Sequence, residues 1–366
     1  MPRSRADHGD VNGSAAAALS DMAALQDAAH SRRAYAQAAA AVLALEVPLD
    51  RLRRPDGTLP RLPRVGPSST SILIEILDEG ASPTLERRVE RRGQRAVCER
   101  LQAMRQGFLS RAAALEILAL AGADLRARYR GDLQMHSTWS DGEDSVQAMA
   151  EGCRARGYTC CAMTDHSGGL PIAGGLSTER QRAQANEIAR VNRGFAGAFH
   201  VFAGVEANIT PSGDVDVEPQ ARRALDLVVA APHSGLRTAQ PQTARLIAAV
   251  TTPGVHILGH PRGRKYGARA GVAADWARVF AAAERSGVAI ELDGDPARQD
   301  LDCTLAVQAR DAGCLFALDS DAHAVSQLWY VDLALAHALL AGIPAERIVN
   351  CWPLDRFRAW LDARHS

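Results

Sequence analysis

Seven short apolar runs in the second half of the chain each deliver polar residues at their C-terminal end. The runs are "GDLQMH", "TCCAMTDH", "HVFAGVE", "LDLVVAAPH", "VHILGHP", "VAIELDG" and "CLFALDSDAH". Six of them place His136, Asp165–His166, Glu206, His233, His260 and Asp321–His323 at or just past their last apolar residue, and the seventh ends with Glu291 and Asp293. Imidazole and carboxylate donors without thiolates suit Zn²⁺, Mn²⁺ or Fe²⁺. The set holds more donors than one ion takes, about four to six, so two or three ions sharing ligands fit it better. Such a cluster activates water and clamps a phosphoryl group during in-line displacement. The chain shows no Gly-rich phosphate loop and no nucleophile elbow. Metal-assisted hydrolysis of a phosphoester is therefore the chemistry these residues suggest.

The elements around the runs must bring their ends together. Helix-like segments separate them, among them "VQAMAEGCRARG", "ERQRAQANEIARVNRG", "ADWARVFAAAERSG" and "CTLAVQARDAG". Alternation of buried strands with helices predicts an α/β fold with a parallel sheet. In a barrel of parallel strands all C-terminal ends share one face, where active sites sit. The first 130 residues read differently: "DMAALQDAAHSRRAYAQAAAAVLAL", "SSTSILIEILDEG", "TLERRVERRGQRAVCERLQAM" and "RAAALEILALAGADLRARY" are helical patterns. Residues 1–19 are expected to be a disordered tail, 20–128 a small helical domain and 129–366 the barrel.

Charge divides along the same line. Residues 51–130 carry 16 Arg against 9 acidic residues, net +7, whereas residues 131–366 are net −5 within a neutral chain. One part is fitted to a polyanion and the other to cations. No apolar run is long enough to span a membrane, and the N-terminus lacks the apolar core of a secretory signal, so a cytoplasmic location is expected. The seven cysteines have no metal-finger spacing and read as reduced thiols. Lys265 is the single lysine.

The ordered motifs "RGDLQMHSTWSDG", "AMTDHS", "AGGLSTER", "GVEANI", "LDLVVAAPHS", "ILGHPRGR", "IELDGDPARQDLD" and "LDSDAH" resemble the PHP (polymerase and histidinol phosphatase) family, and most closely the PHP domain of bacterial family X DNA polymerases. The resemblance covers residues 131 to about 350. It implies a distorted (β/α)7 TIM-like barrel with three metal sites for Zn²⁺ or Mn²⁺, Fe²⁺ being possible. By the resemblance, Gln134, His136, Glu206 and Asp321 fall on the first site. Glu206 bridges to a second with His233 and His260, and Asp141, His166 and His323 make the third. Glu206, His136, Asp321 and His233 carry the catalytic burden, through attack of a metal-activated hydroxide on phosphorus, and Asp165 is placed to orient its neighbour His166. Gln134 stands where many relatives have His, which softens the first site. Arg262, Arg264, Lys265 and Arg298 are candidates to bind a substrate phosphate.

The segment "GTLPRLPRVGPSSTSILIEILDEGASPTLERR" resembles the helix-hairpin-helix of the N-terminal domain of family X polymerases. Arg64 replaces one of the two hairpin glycines, and Arg61, Arg64, Gly66 and Ser68 are the candidate DNA contacts. About 30 residues lie between residue 100 and the barrel, too few for a polymerase core. No Lys exists in residues 1–130, so composition argues against Schiff-base lyase chemistry of the polymerase type. The leading expectation is a DNA phosphoesterase: a 3′→5′ exonuclease or an enzyme that processes 3′ ends or abasic sites in repair. Its expected partner is DNA, single-stranded, gapped or at 3′ ends, with a bacterial, nucleoid-associated location. A small-molecule phosphatase of the histidinol-phosphate type, or a non-catalytic DNA-binding protein, are the alternatives.

Overall fold

The computed structural model describes residues 9–365, which form two compact units. The first comprises residues up to Leu120 together with Lys265–Ala270, and the second the remainder, so the contact boundary falls at Leu120–Ala121 rather than 128–129.

In the first unit the secondary structure is helical, with helices Val11–Ala24, Ala29–Leu43, Pro67–Glu79, Pro83–Arg92 and Arg95–Arg105 among the principal ones. Residues 11–19 are therefore not a disordered tail. Asn12, Gly13 and Ser14 are weak helix formers, but the Asp10 carboxylate accepts the Gly13 N–H at 2.8 Å and caps the helix. Ala15, Ala16 and Leu19 then enter a core with Met22, Val42, Ile72 and Leu73. Residues 1–8 of the expected tail lie outside the described residues. The Ala-rich stretch expected as one helix is two, broken at residues 25–28.

The second unit is built on a six-stranded parallel sheet in sequential order. The strands are β1 (Cys160–Met163), β2 (His200–Asn208), β3 (Leu227–Ala231), β4 (Ile257–Leu258), β5 (Ala289–Asp293) and β6 (Leu315–Asp319). β1, β3, β4 and β5 are buried along their whole length, as strands covered on both faces must be.

The seventh run, residues 131–136, is not a regular strand. Three successive amides that would form a ladder go instead to side-chain oxygens: Leu133 to Asp319, Gln134 to Asp132 and Met135 to Thr164. Its remaining backbone bonds reach both edges of the sheet. Asp132 O and Met135 O accept from Ala162 and Thr164 beside β1, while Gln134 O accepts from Asp321 and the His136 N–H donates to Ala322 O beyond β6. Among the described residues no helix is long and apolar enough to cross a membrane.

Candidate metal centre

The strand ends position the site. Glu206 lies in β2, and an isolated parallel bridge places His166, beyond β1, opposite it. His233 and His260 follow β3 and β4 by two residues, and Asp321 and His323 follow β6. Each oxygen of the buried Glu206 carboxylate faces two imidazoles. Oε1 lies 3.1 Å from His233 Nε2 and 2.7 Å from His260 Nε2. Oε2 lies 2.9 Å from His166 Nδ1 and 3.4 Å from His136 Nε2. His136 Nε2 is also 3.0 Å from Asp321 Oδ1. Asp141, the most exposed member, lies 3.5 Å from both His166 Nε2 and His323 Nε2. The ring of His136 stacks between those of His166 and His323, at 4.4 and 4.3 Å.

Three groups of donor atoms lie within 4.8 Å of one another: His136, Asp141, His166 and His323; His166, Glu206 and His233; and His136, Glu206 and Asp321. Buried polar atoms are normally paired. Here His136 Nδ1, His166 Nδ1, both nitrogens of His233, His260 Nδ1, Glu206 Oε2 and both amide atoms of Gln134 have no hydrogen-bond partner. So many orphaned donors and acceptors in one pocket fit a cluster of divalent cations, and the donor set of nitrogen and oxygen suits that role. Gln134 belongs to the same place: its Oε1 would lie 3.3 Å from a Cβ built on Gly259, next to His260.

The electrostatics agree. Burial opposes charge on His166, but Glu206 and Asp141 outweigh it and hold the imidazole up at about 10. His323 is held at about 9, against its burial, by Asp141 and Asp321. Burial and the Arg298 cation push His260 down to about 4. The carboxylates thus demand positive charge that protons supply only in part, and a metal ion would displace those protons.

Two backbone positions at the site are strained. His260 and Asp321 have φ of 23° and 51°, in the left-handed region that non-glycine residues avoid. Each is held there by a neighbour: the His260 N–H donates to Glu291 Oε2 at 2.5 Å and the Asp321 N–H to Gln134 O at 3.1 Å. Glu291 was legible only as a polar strand end, and its work is to fix the backbone of the histidine that follows the adjacent, preceding strand β4. Asp165 proves to orient a turn rather than His166. It accepts from Ser137 N–H, Ser137 Oγ, Ser140 N–H and Ser140 Oγ at 2.5–3.1 Å, and from the amide of Gln184. That turn carries His136 at one end and Asp141 at the other.

The four phosphate candidates separate. Arg298 Nη1 lies 2.8 Å from Asp321 Oδ2, in an ion pair without the alignment of a hydrogen bond, and the side chain is 24% exposed. Arg262 pairs with Asp302. Arg264 is buried, donates to Arg298 O at 3.0 Å and lies 3.7 Å from Asp302. These two arginines build the loop; spacing from His260 alone could not reveal that. Lys265 is exposed and falls in the segment belonging to the helical unit.

In the helical unit, Arg61–Gly66 form a turn with Val65 N–H donating to Leu62 O. Arg64 has φ 59°, so it adopts the left-handed conformation expected of the glycine it replaces. Gly66 precedes helix Pro67–Glu79 with no side-chain cap, and a Cβ on it would meet nothing within 4 Å. Ser68, in the first turn of that helix, is exposed.

No family model matches the chain. It is 31% identical over 178 residues, 45% of its length and 68% of the relative's, to the probable phosphatase YcdX of Escherichia fergusonii. The chain belongs to the PHP family of phosphoesterases. It is also 36% identical over 235 residues to the DNA polymerase/3′-5′ exonuclease PolX of Bacillus subtilis, covering 63% of this chain and 41% of that protein, so this PHP chain spans about two fifths of that relative's length. Among solved structures it is similar to the histidinol phosphate phosphatase of Lactococcus lactis, complexed with zinc, L-histidinol and phosphate. That likeness has a TM-score of 0.42 and 16% identity, over 58% of this chain and 93% of the other.

Proposed function

We propose that the chain is a metal-dependent phosphoesterase that acts on DNA 3′ ends, as an exonuclease or end-processing enzyme of repair in the bacterial cytoplasm. One observation carries the hydrolytic reading: each oxygen of the buried Glu206 meets two histidines. A carboxylate so placed is suited to bridge two ions. Gln134, His136 and Asp321 complete one side of it, His233 and His260 another, and Asp141, His166 and His323 would hold a third ion. When bound, divalent ions supply Lewis acidity toward a phosphoryl oxygen and a nucleophilic water near neutral pH. The chain's own part is to fix these donors on strand ends and to hold Arg298 at the partly exposed side, where its guanidinium can take a phosphate oxygen. The two bonds reaching each edge of the sheet from residues 131–136 support a distorted seven-membered barrel as the frame.

The DNA reading rests on the helical unit. The +7 balance of residues 51–130 suits a phosphate backbone. Arg64 keeps the hairpin's left-handed turn, and Arg61, Arg64, the open face of Gly66 and Ser68 stand at an uncapped helix start. The match to a probable phosphatase favours a small-molecule phosphomonoester as the second reading. A labelled 3′ end, histidinol phosphate and an aryl phosphate, each assayed with Mn²⁺, separate the two. Preference for the oligonucleotide is expected, with DNA affinity falling steeply as salt rises. The double variant Arg61→Ala, Arg64→Ala should lose DNA binding and keep aryl phosphate hydrolysis. Affinity that is flat in salt, or exclusive action on histidinol phosphate, removes DNA from the account.

A further inference from the structure

Half-buried Cys303 and buried His337 and Gln299 form a chain that the metal cluster does not use. Cys303 Sγ lies 3.2 Å from His337 Nδ1, and His337 Nε2 lies 2.7 Å from Gln299 Oε1. His337 and Gln299 are each 1% exposed. The order thiol, imidazole, amide is that of a nucleophile, its base and an orienting group. The environment argues against that role. Burial and the nearby Asp302 push the thiol up to about 11, and burial with Arg264 pushes the imidazole down to about 3. Neither group ionises near neutral pH. An amide oxygen can only accept, so His337 carries its proton on Nε2, and Nδ1 accepts from the thiol. The chain is a neutral relay of two donated hydrogen bonds, the second of them to Gln299.

Gln299 adjoins Arg298, and the two side chains diverge: Arg298 toward Asp321, Gln299 toward His337. Gln299 has φ 41°, a left-handed conformation that persists only where its surroundings impose it. Around it the backbone is tied on both sides. The Arg298 and Gln299 N–H groups both donate to Asp295 O at 2.8 Å, and Arg298 O accepts from Arg264 Nε at 3.0 Å. The buried amide of Gln299 is the third tie. An arginine side chain loses much rotamer freedom on binding an anion, and fixing its backbone limits where the guanidinium can go.

We propose that the Cys303–His337–Gln299 chain positions Arg298 to hold a phosphate oxygen of the substrate. His337 and Gln299 are positioning residues; this rests on the reading of Arg298 as the phosphate anchor. The test measures binding of inorganic phosphate to the Mn²⁺-loaded full chain by calorimetry, with kcat and KM for an aryl phosphate and metal content per chain. Arg298→Ala should weaken phosphate about 30-fold, as loss of a charge-assisted contact does. His337→Asn, which cannot place a donor where Nε2 stood, should weaken it about tenfold and raise KM more than it lowers kcat. His337→Gln puts an amide N–H near that position and should stay within about threefold of the parent. In the Arg298→Ala background His337→Asn should add nothing, because the two act through one contact. If His337→Asn does not fold, Gln299→Met, which keeps length and removes the acceptor, takes its place. Additive losses in the double variant, or loss of metal rather than of phosphate affinity, overturn the proposal. If Arg298→Ala itself binds phosphate normally, the anchor reading fails instead.

Discussion

Asp21 and Arg105 in the helical unit are both nearly inaccessible, and they meet at 2.5 Å. Glu206 in the α/β unit is as deeply buried, yet it is one acid among four histidines, and many of the surrounding atoms have no hydrogen-bond partner. The first arrangement is nearly closed by itself: one charge answers one charge, Gln102 adds a donor, and only Arg105 Nε is left without a hydrogen-bond partner. The second is complete only with something added. The difference teaches how to read buried charge. A closed pair serves the fold, whereas a convergent set of orphaned donors asks for an ion.

Substitutions should sharpen this contrast. The largest effect is expected for Glu206→Ala, which removes the group shared by four histidines. Activity on an aryl phosphate should drop at least about a thousandfold, roughly 4 kcal/mol of barrier, and metal per chain should fall with it. Full metal content in that variant would break the comparison. His136→Ala should follow closely, since Glu206 and Asp321 alone then serve the first site as strong ligands. Chelation should abolish activity and lower the melting temperature, because an ion at 100 times its Kd contributes about 2.7 kcal/mol to stability; an unchanged melt would speak against a resident cluster.

Gln134→Ala should cost about tenfold, at the low end of what loss of an indirect ligand does, and Gln134→His should tighten the first ion without changing the reaction. A Gln134→Ala variant as inactive as Glu206→Ala would give the amide a direct part in handling substrate or water. Asp21→Ala should have the smallest effect on turnover, none being expected, while costing about 3–5 kcal/mol of stability by stranding the Arg105 charge. Denaturant melts alongside the aryl phosphate assay check both halves of that statement.

The convergence of these donors was legible because parallel strands send their C-terminal ends to one face, so polar residues after apolar runs must converge. His166, Glu206, His233, His260, Asp321 and His323 obey that rule, and His136 joins them from the irregular segment 131–136. Asp141 lies five residues past its run and was legible through the motif around it. What sequence could not give is how a side chain is engaged. Arg262, Arg264 and Arg298 are equivalent as letters. Their separation into two that tie the loop and one that faces Asp321 depends on where Asp302 and Asp321 fold. The missing strand has the same origin: Thr164, Asp132 and Asp319 capture amides of residues 133–135, which no periodicity records. The first helix was hidden by poor intrinsic propensity that Asp10 and core burial override.

Residues 130–136 and 319–322 are joined by a few scattered bonds, together with Asn350, whose amide donates to Gly131 O, Leu318 O and the Asp319 carboxylate. This seam has little regular ladder to protect its backbone from local opening. Yet His136 stands on one lip of it and Asp321 on the other. An ion held by both would act as a clasp, so the occupancy of the pocket should be written into the hydrogen–deuterium exchange of amides 134–136 and 321–323. The line along which the fold lacks a regular ladder is also the line that an ion held by His136 and Asp321 would bridge, and the folding stability of that line would then be a gauge of metal supply.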